Sequence, residues 1–249
     1  MFVKVFVLGS PGSGKSTAIQ RIENLADRRN IPTTSIKDYT LLREMFEQGD
    51  TRFEAADWDG FDVTDFSVLD EALEKLEKKV DALESPSPRL DEIVLIEFAR
   101  NDYYKALNNF TARFLRNAYF LFIDAELEEA CIKRIHIRRM SQASNEDRHS
   151  VSDTIMRSYY ATHNWSDTLD EFAFEGRELQ HITILGNNRA KDDFEHDVVD
   201  FAEKLFAETI FKNDSSSCQP PASDNQVSTL DNQTSSSVIH SVAQVPVGV

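Results

Sequence analysis

Apolar residues recur along this chain with two alternating periods. Val3–Leu8, Ile93-Val94-Leu95-Ile96 and Tyr119-Phe120-Leu121-Phe122-Ile123 are short, nearly unbroken apolar runs, the pattern of strands buried on both faces of a parallel sheet. Weaker β-branched runs at 33–36 and 182–185 predict two more strands. Between them the apolar spacing becomes helical. Val68, Leu69, Ala72, Leu73, Leu76, Val80 and Leu83 form one stripe, with Asp65 placed to cap its start and Ser85-Pro86-Ser87-Pro88 to end it. Further helices are predicted over 15–29, 41–48, 102–116, 127–140, 151–162 and 193–211, and no element is assigned between 163 and 181. Strands alternating with helices imply right-handed βαβ units. The expected fold is α/β, a parallel five-stranded sheet with helices on both faces. Ligands of such sheets bind at the carboxyl ends of the strands.

Composition changes after Lys212. From 213 to 249 there is no Lys, Arg or aromatic residue, and Ser, Asn, Gln and Asp dominate. Such a segment buries too little apolar surface to offset its ordering entropy, so 213–249 reads as a disordered tail behind a folded unit at 1–212. The opening apolar run is too short for a secretory signal and reads as a first strand. Two cysteines in 249 residues indicate no disulfide framework, and a cytoplasmic location is expected. No apolar run reaches the ~20 residues needed to span a bilayer, so no membrane partner is expected. The net charge of -16 repels polyanions on average, which argues against a nucleic-acid partner. Any phosphate must therefore be held by a local concentration of basic side chains and backbone N–H groups. The oligomeric state is left open.

One such concentration is explicit. Gly9-Ser10-Pro11-Gly12-Ser13-Gly14-Lys15-Ser16 fits G-x-x-x-x-G-K-[ST] and lies between a predicted strand and a predicted helix, the context a phosphate-binding loop (P-loop) requires. Small residues let the backbone wrap phosphates with its N–H groups inward, and the helix adds its positive end. Lys15 is expected to bridge the β- and γ-phosphates, and the Ser16 hydroxyl to ligate Mg²⁺. ATP and Mg²⁺ are the expected ligands, with Thr17 completing the binding segment.

Two further signals follow. Glu97, at the carboxyl end of the third expected strand, is placed to hold a Mg²⁺-bound water or to accept the proton of an attacking hydroxyl, and Arg100 is placed to clamp an acceptor. On the helix 127–140, Leu127, Cys131 and Ile135 mark a core stripe, while Arg134 and Arg138 share the adjacent face one turn apart. Two guanidinium groups there suit a phosphate clamp, with the polar stretch 141–150 as cover and a small helical lid at about 134–152. The plain alternative is a basic helix end that complements its dipole. Trp58, Phe61, Phe66, Tyr103 and Tyr104 are candidates for a stacking pocket or for core.

The segment Gly9–Thr17 resembles the phosphate loop of the nucleoside monophosphate kinases, adenylate kinase in particular. Ile36-Lys37-Asp38-Tyr39-Thr40-Leu41-Leu42-Arg43-Glu44 is similar to that family's acceptor-binding segment, and Glu97-Phe98-Ala99-Arg100 to its strand-end motif. The resemblance implies that Asp38 and Arg43 bind the acceptor, Arg43 through its phosphate, and that Arg134 and Arg138 are lid arginines. Here Glu replaces Asp in the strand-end motif, and an insert-like stretch rich in Asp and aromatics lies between Gly49 and Asp65. An acidic acceptor region of this kind suits a polyanionic acceptor poorly. The expectation is an ATP-dependent phosphotransferase acting on a nucleotide, nucleoside or similar small acceptor. Lys15, Glu97, Arg134 and Arg138 would be its catalytic groups, and Ser16 and Glu97 its metal ligands. The alternative is an ATP-binding switch or ATPase that acts through a protein partner. A kinase-like fold that has lost transfer is a third possibility.

Overall fold

The computed structural model describes residues 2–56, 60–83, 92–140, 151–162, 165–175, 179–188 and 190–209. The expected tail and the centre of the expected lid lie outside the described residues, as does Trp58.

Five parallel strands form the sheet: β1 (Val3–Leu8), β2 (Thr33–Lys37), β5 (Ile93–Phe98), β6 (Tyr119–Asp124) and β7 (Ile182–Gly186), in the order β2-β5-β1-β6-β7. The predicted α/β P-loop fold is the fold of this chain. β1 is central, so the loop that follows it opens between the ends of β5 and β6. Alternation along the strands sorts the core into two layers. Phe6, Leu8, Val94, Ile96 and Phe98 face one side, and Val5, Val7, Ile93 and Leu95 the other.

The second side is covered by α1 (Lys15–Asp27) and α9 (Lys191–Thr209), through Ile19, Ile22 and Leu25 against Phe194, Val198 and Leu205. The first side is covered by α2 (Asp38–Glu47) and α3 (Ser67–Asp81), whose predicted apolar stripe is buried from Val68 to Val80. The N-cap position of α3 is held by Phe66, which makes no side-chain cap, and Asp65, expected there, sits one residue earlier and accepts the Ser67 N–H in a local turn. Rings fill the space beneath. Phe6 stacks on Phe120 at 5.0 Å and meets Phe110 and Phe114 edge-on.

The structure departs from the sequence reading in five further places. The expected helix at 102–116 is two, α4 (Tyr103–Asn108) and α5 (Ala112–Leu115). Phe110 dips into the ring cluster between them, and Thr111 starts a new helix by accepting the Phe114 N–H. The helix at 127–140 opens as a π-helical turn, Leu127–Ile132, before continuing as α6 (Lys133–Met140). The helix expected at 151–162 is only α7 (Asp153–Ser158), capped by Ser152. An unexpected helix, α8 (Trp165–Phe174), inserts Phe172 into the core. The insert-like stretch contains an antiparallel hairpin, β3 (Phe53–Ala56) with β4 (Gly60–Val63), which presses Phe53 and Phe61 against Phe46.

Glu77 is the polar tie in this layer. Nearly buried on α3, it accepts from both the backbone N–H (3.0 Å) and the hydroxyl (2.6 Å) of Thr111. Replacing one partner of a buried hydrogen bond costs about 1–3 kcal/mol, so Glu77→Ala should lower unfolding free energy by roughly that amount. Glu77→Gln, which retains an acceptor, should lose less. Urea unfolding of the three proteins tests this, and equal losses for Ala and Gln would count against the hydrogen-bond assignment.

Candidate active site

The loop Gly9–Ser16 leaves β1 and enters α1 through Gly14, whose φ of 112° is left-handed. A Cβ on Gly14 would lie 2.4 Å from the Asn187 amide nitrogen, and one on Gly12 (φ 79°) would lie 2.5 Å from the Cys131 carbonyl. The glycines are therefore required by backbone angle and by close approach together.

Three side chains outside the motif hold the loop. The buried Tyr103 hydroxyl accepts from the N–H of Gly9 (3.0 Å) and of Arg100 (3.2 Å), joining the loop's start to the end of β5. Burial pushes the Tyr103 phenol well above its ordinary pKa. Asn187, just past β7, donates to the Ser13 carbonyl at 2.6 Å. Arg134 donates to the carbonyls of Gly12 (3.4 Å), Ser13 (3.3 Å) and Asn187 (2.7 Å). The sequence marks Tyr103 only as a pocket or core aromatic, and Asn187 carries no sequence signal.

Lys15 is 7% exposed and folds back so that Nζ donates to the carbonyls of Gly9 (2.9 Å) and Ser10 (3.0 Å). Glu97 lies on the same sheet face as Ile93 and Leu95, over which α1 packs, so its carboxylate comes within 4.0 Å of the Lys15 ammonium. Lys37 approaches from β2 at 3.8 Å. Burial lowers the Lys15 pKa, against the raising effect of Glu97 and Asp38. Burial likewise raises that of Glu97, while Lys15 and Lys37 pull it back.

A cavity of about 140 Å³ begins at this point. At one end it is lined by Pro11, Gly12, Gly14, Lys15, Ser16 and Glu97. The far wall comes from α2, β4 and α3, through Tyr39, Leu42, Phe61, Val63, Phe66 and Leu69. Arg138 lines it from α6, and Asp38 and Arg100 from the floor.

The expected site residues thus divide. Lys15, Ser16, Glu97, Arg138, Asp38 and Arg100 share one cavity with Pro11, Gly12 and Gly14. Gly9, Ser10, Ser13 and Thr17 lie in or behind the loop and do not line the cavity. Arg134 donates to loop carbonyls, whereas Arg138 lines the cavity. Arg100 is buried against Asp38 at 2.6 Å and donates to the carbonyls of Ala99 and Leu69. Arg43, half-exposed, pairs with Glu47 at 2.8 Å outside the cavity.

Two oxygen groups in this cavity suit a divalent ion: the Ser16 hydroxyl and the Glu97 carboxylate. Glu97 Oε2 is buried without a hydrogen-bond partner among the described residues. A hydroxyl and one carboxylate, leaving room for waters and phosphate oxygens, fit the hard-oxygen preference of Mg²⁺.

No protein-family model matches the sequence, and no curated protein matches it significantly. Among solved structures, the Mycobacterium tuberculosis APS kinase CysC in complex with AMPPNP and APS is similar with a TM-score of 0.50 and 16% identity, over 81% of this chain and 98% of that one. A gluconokinase from Sinorhizobium meliloti 1021 gives a TM-score of 0.44 at 14% identity, over 85% of this chain and 97% of that one. Kti12 of Chaetomium thermophilum in complex with ADP-AlF3 gives 0.42 at 18%, over 83% and 98%. At this identity the first likeness establishes the fold, and the other two add nothing to it. Among the described residues no helix is long and apolar enough to cross a membrane.

Cys131, packed under the loop, has its thiol pushed up to about 11 by burial, against the pull of Lys15 and Arg134. A raised thiol pKa means less thiolate at any pH below it, roughly one part in a thousand at pH 8. Iodoacetamide at pH 8 should leave Cys131 unmodified in the native protein and modify it in urea, as read by peptide mapping. Labelling of Cys131 at equal rates in both states would contradict the burial.

Proposed function

We propose that this chain is an ATP- and Mg²⁺-dependent phosphotransferase that moves the γ-phosphoryl group to a hydroxyl of a small acceptor. One observation carries the reading: the cavity that begins at Lys15, Ser16 and Glu97 continues into a chamber walled by α2, β4 and α3. A triphosphate cradled by the loop would present its terminal phosphorus to whatever occupies that chamber. The APS kinase, whose fold this chain shares, is itself a kinase.

In this reading the Lys15 ammonium leaves the carbonyls of Gly9 and Ser10 for the β- and γ-phosphates, and the loop N–H groups hold their oxygens. Ser16, and Glu97 through a water, would hold Mg²⁺, which supplies neutralising charge to the phosphate oxygens. Arg138 lies in the electrostatic reach of both Lys15 and Glu97 and steadies the moving group. Arg134 acts one step back, stiffening the loop by its bonds to Gly12 and Ser13. The acceptor oxygen bonds to the γ-phosphorus, the bond from that phosphorus to the β-γ bridging oxygen breaks, and ADP leaves. The hydroxyl proton passes to the Glu97 carboxylate. Catalysis in such a site is positioning together with electrostatic stabilisation.

A switch that hydrolyses ATP slowly for a protein partner would use the same loop, but it gives the apolar chamber no role.

Lys15→Ala should reduce acceptor-dependent ADP release by about 10²–10³-fold or more, the loss typical of one preorganised charged donor. It should also weaken binding of AMPPNP with Mg²⁺ in calorimetry while leaving the urea midpoint near that of the parent. Unchanged binding and unchanged turnover would end the proposal. Asn187→Ala should raise the Kd for AMPPNP several-fold, because the Ser13 carbonyl loses its donor and the loop its brace. A Kd equal to the parent's would remove that role.

A further inference from the structure

Resting on the phosphotransferase reading, we infer that the acceptor is an uncharged alcohol built on a flat ring, and not a phosphomonoester. The charges along the cavity decide this. Its lining contains three cations, Lys15, Arg100 and Arg138, and three acids, Asp38, Asp62 and Glu97. Lys15 belongs to the phosphate loop, and Arg138 stands where its field reaches Lys15 and Glu97, so both serve the triphosphate. Arg100 and Asp38 cancel one another in a buried pair at 2.6 Å. Glu97 lies beside Lys15 and Lys37 at the metal end, so Asp62 remains as the acid of the acceptor end. A phosphomonoester, carrying close to two negative charges at neutral pH, would sit against the Asp62 carboxylate in a cavity that shields charge poorly. An uncharged molecule meets no such repulsion.

The hydrogen-bonding groups agree. Arginine grips phosphate through two parallel donors. Here Arg100 Nη1 is bonded to Asp38 and the Ala99 carbonyl, and Nη2 to the Leu69 carbonyl. What is left is Nε, a buried donor with no partner among the described residues, in a side chain 3% exposed. A single N–H of this kind suits one neutral oxygen. Arg43 does not line the cavity and pairs with Glu47 outside it.

The chamber wall supplies the rest. Tyr39 and Phe61 lie parallel, with ring centroids 5.5 Å apart, and Leu42, Val63, Phe66 and Leu69 continue the apolar surface. Such a wall takes a planar ring, and the acceptor hydroxyl faces Glu97 across the transfer step given above.

The full-length protein tests this in two stages. Calorimetry with AMPPNP and Mg²⁺ first establishes triphosphate binding. ADP release from ATP is then measured with matched pairs, each nucleoside against its 5′-monophosphate, and with uncharged hydroxylated aromatic compounds. At least one uncharged ring alcohol should be phosphorylated, with kcat/KM about tenfold or more above that of its phosphorylated counterpart, as expected of like-charge exclusion. Activity with nucleosides or only with the other ring alcohols identifies the source of the ring, and either result supports the inference. Asp62→Asn should narrow the discrimination several-fold by removing that charge. Equal or better use of the phosphomonoester overturns the inference and leaves the phosphotransferase reading standing. So does AMPPNP binding with no uncharged ring alcohol accepted. Absence of AMPPNP binding defeats the phosphotransferase reading and the inference with it.

Discussion

Everything in this molecule that bears on chemistry depends on a main chain that must remain open. For the proposed function the segment Gly9–Ser16 has to hold its main chain wrapped around an open centre, with one internal backbone bond, from the Ser13 N–H to the Ser10 carbonyl at 3.0 Å, closing its turn. The motif alone does not do this, since glycines permit the shape without enforcing it. Enforcement comes from behind. The Tyr103 hydroxyl takes the N–H of Gly9, Asn187 donates to the carbonyl of Ser13, and Arg134 reaches the carbonyls of Gly12 and Ser13. These three groups come from the ends of β5, β7 and β6, by way of the segments that follow each strand. The sheet order, with β1 in the middle, is what allows all of them to reach one loop.

The same topology concentrates charge in a place that water barely enters. Lys15 and Glu97 are both nearly buried and 4.0 Å apart, and each is shifted by desolvation in the direction that disfavours its charged form. Such a pair is expensive to hold in an empty fold, and burial of paired charges is weak evidence for stability. Perturbed groups of this kind cluster where chemistry is done. Glu77, by contrast, is buried and fully used by Thr111, and its place is structural.

The parts of this arrangement differ in how far the sequence declares them. The loop was legible because its residue types, spacing and flanking periodicities agree, and β1, β5 and β6 because their apolar runs are unbroken. Glu97 could be read from its position at a strand end, and Arg138 from its helix face. The buried pair of Arg100 with Asp38 joins residues 62 positions apart and has no local signature. The hairpin β3–β4 was hidden by its length, since strands of four residues carry too little alternation to rise above their neighbours. Asn187 follows a strand whose burial pattern is weak, and the pair Asn187-Asn188 after Gly186 has the appearance of a turn. Periodicity finds Arg134, but its acceptors are main-chain carbonyls distant in sequence, those of Gly12, Ser13 and Asn187, about which side-chain patterning is silent.

The π-helical turn at Leu127–Ile132 carries a different kind of constraint. It seats the Cys131 carbonyl directly against Gly12 and then launches α6, so it sets the azimuth of everything downstream. A helix gains about 100° of rotation per residue, and a π turn holds one residue more than an α turn. Removing that residue would wheel Arg134 away from the loop and Arg138 away from the cavity while leaving every other residue type intact. At this junction the chain is tuned by length: a substitution among 127–132 perturbs one contact, whereas a single-codon deletion re-aims a whole wall of the site.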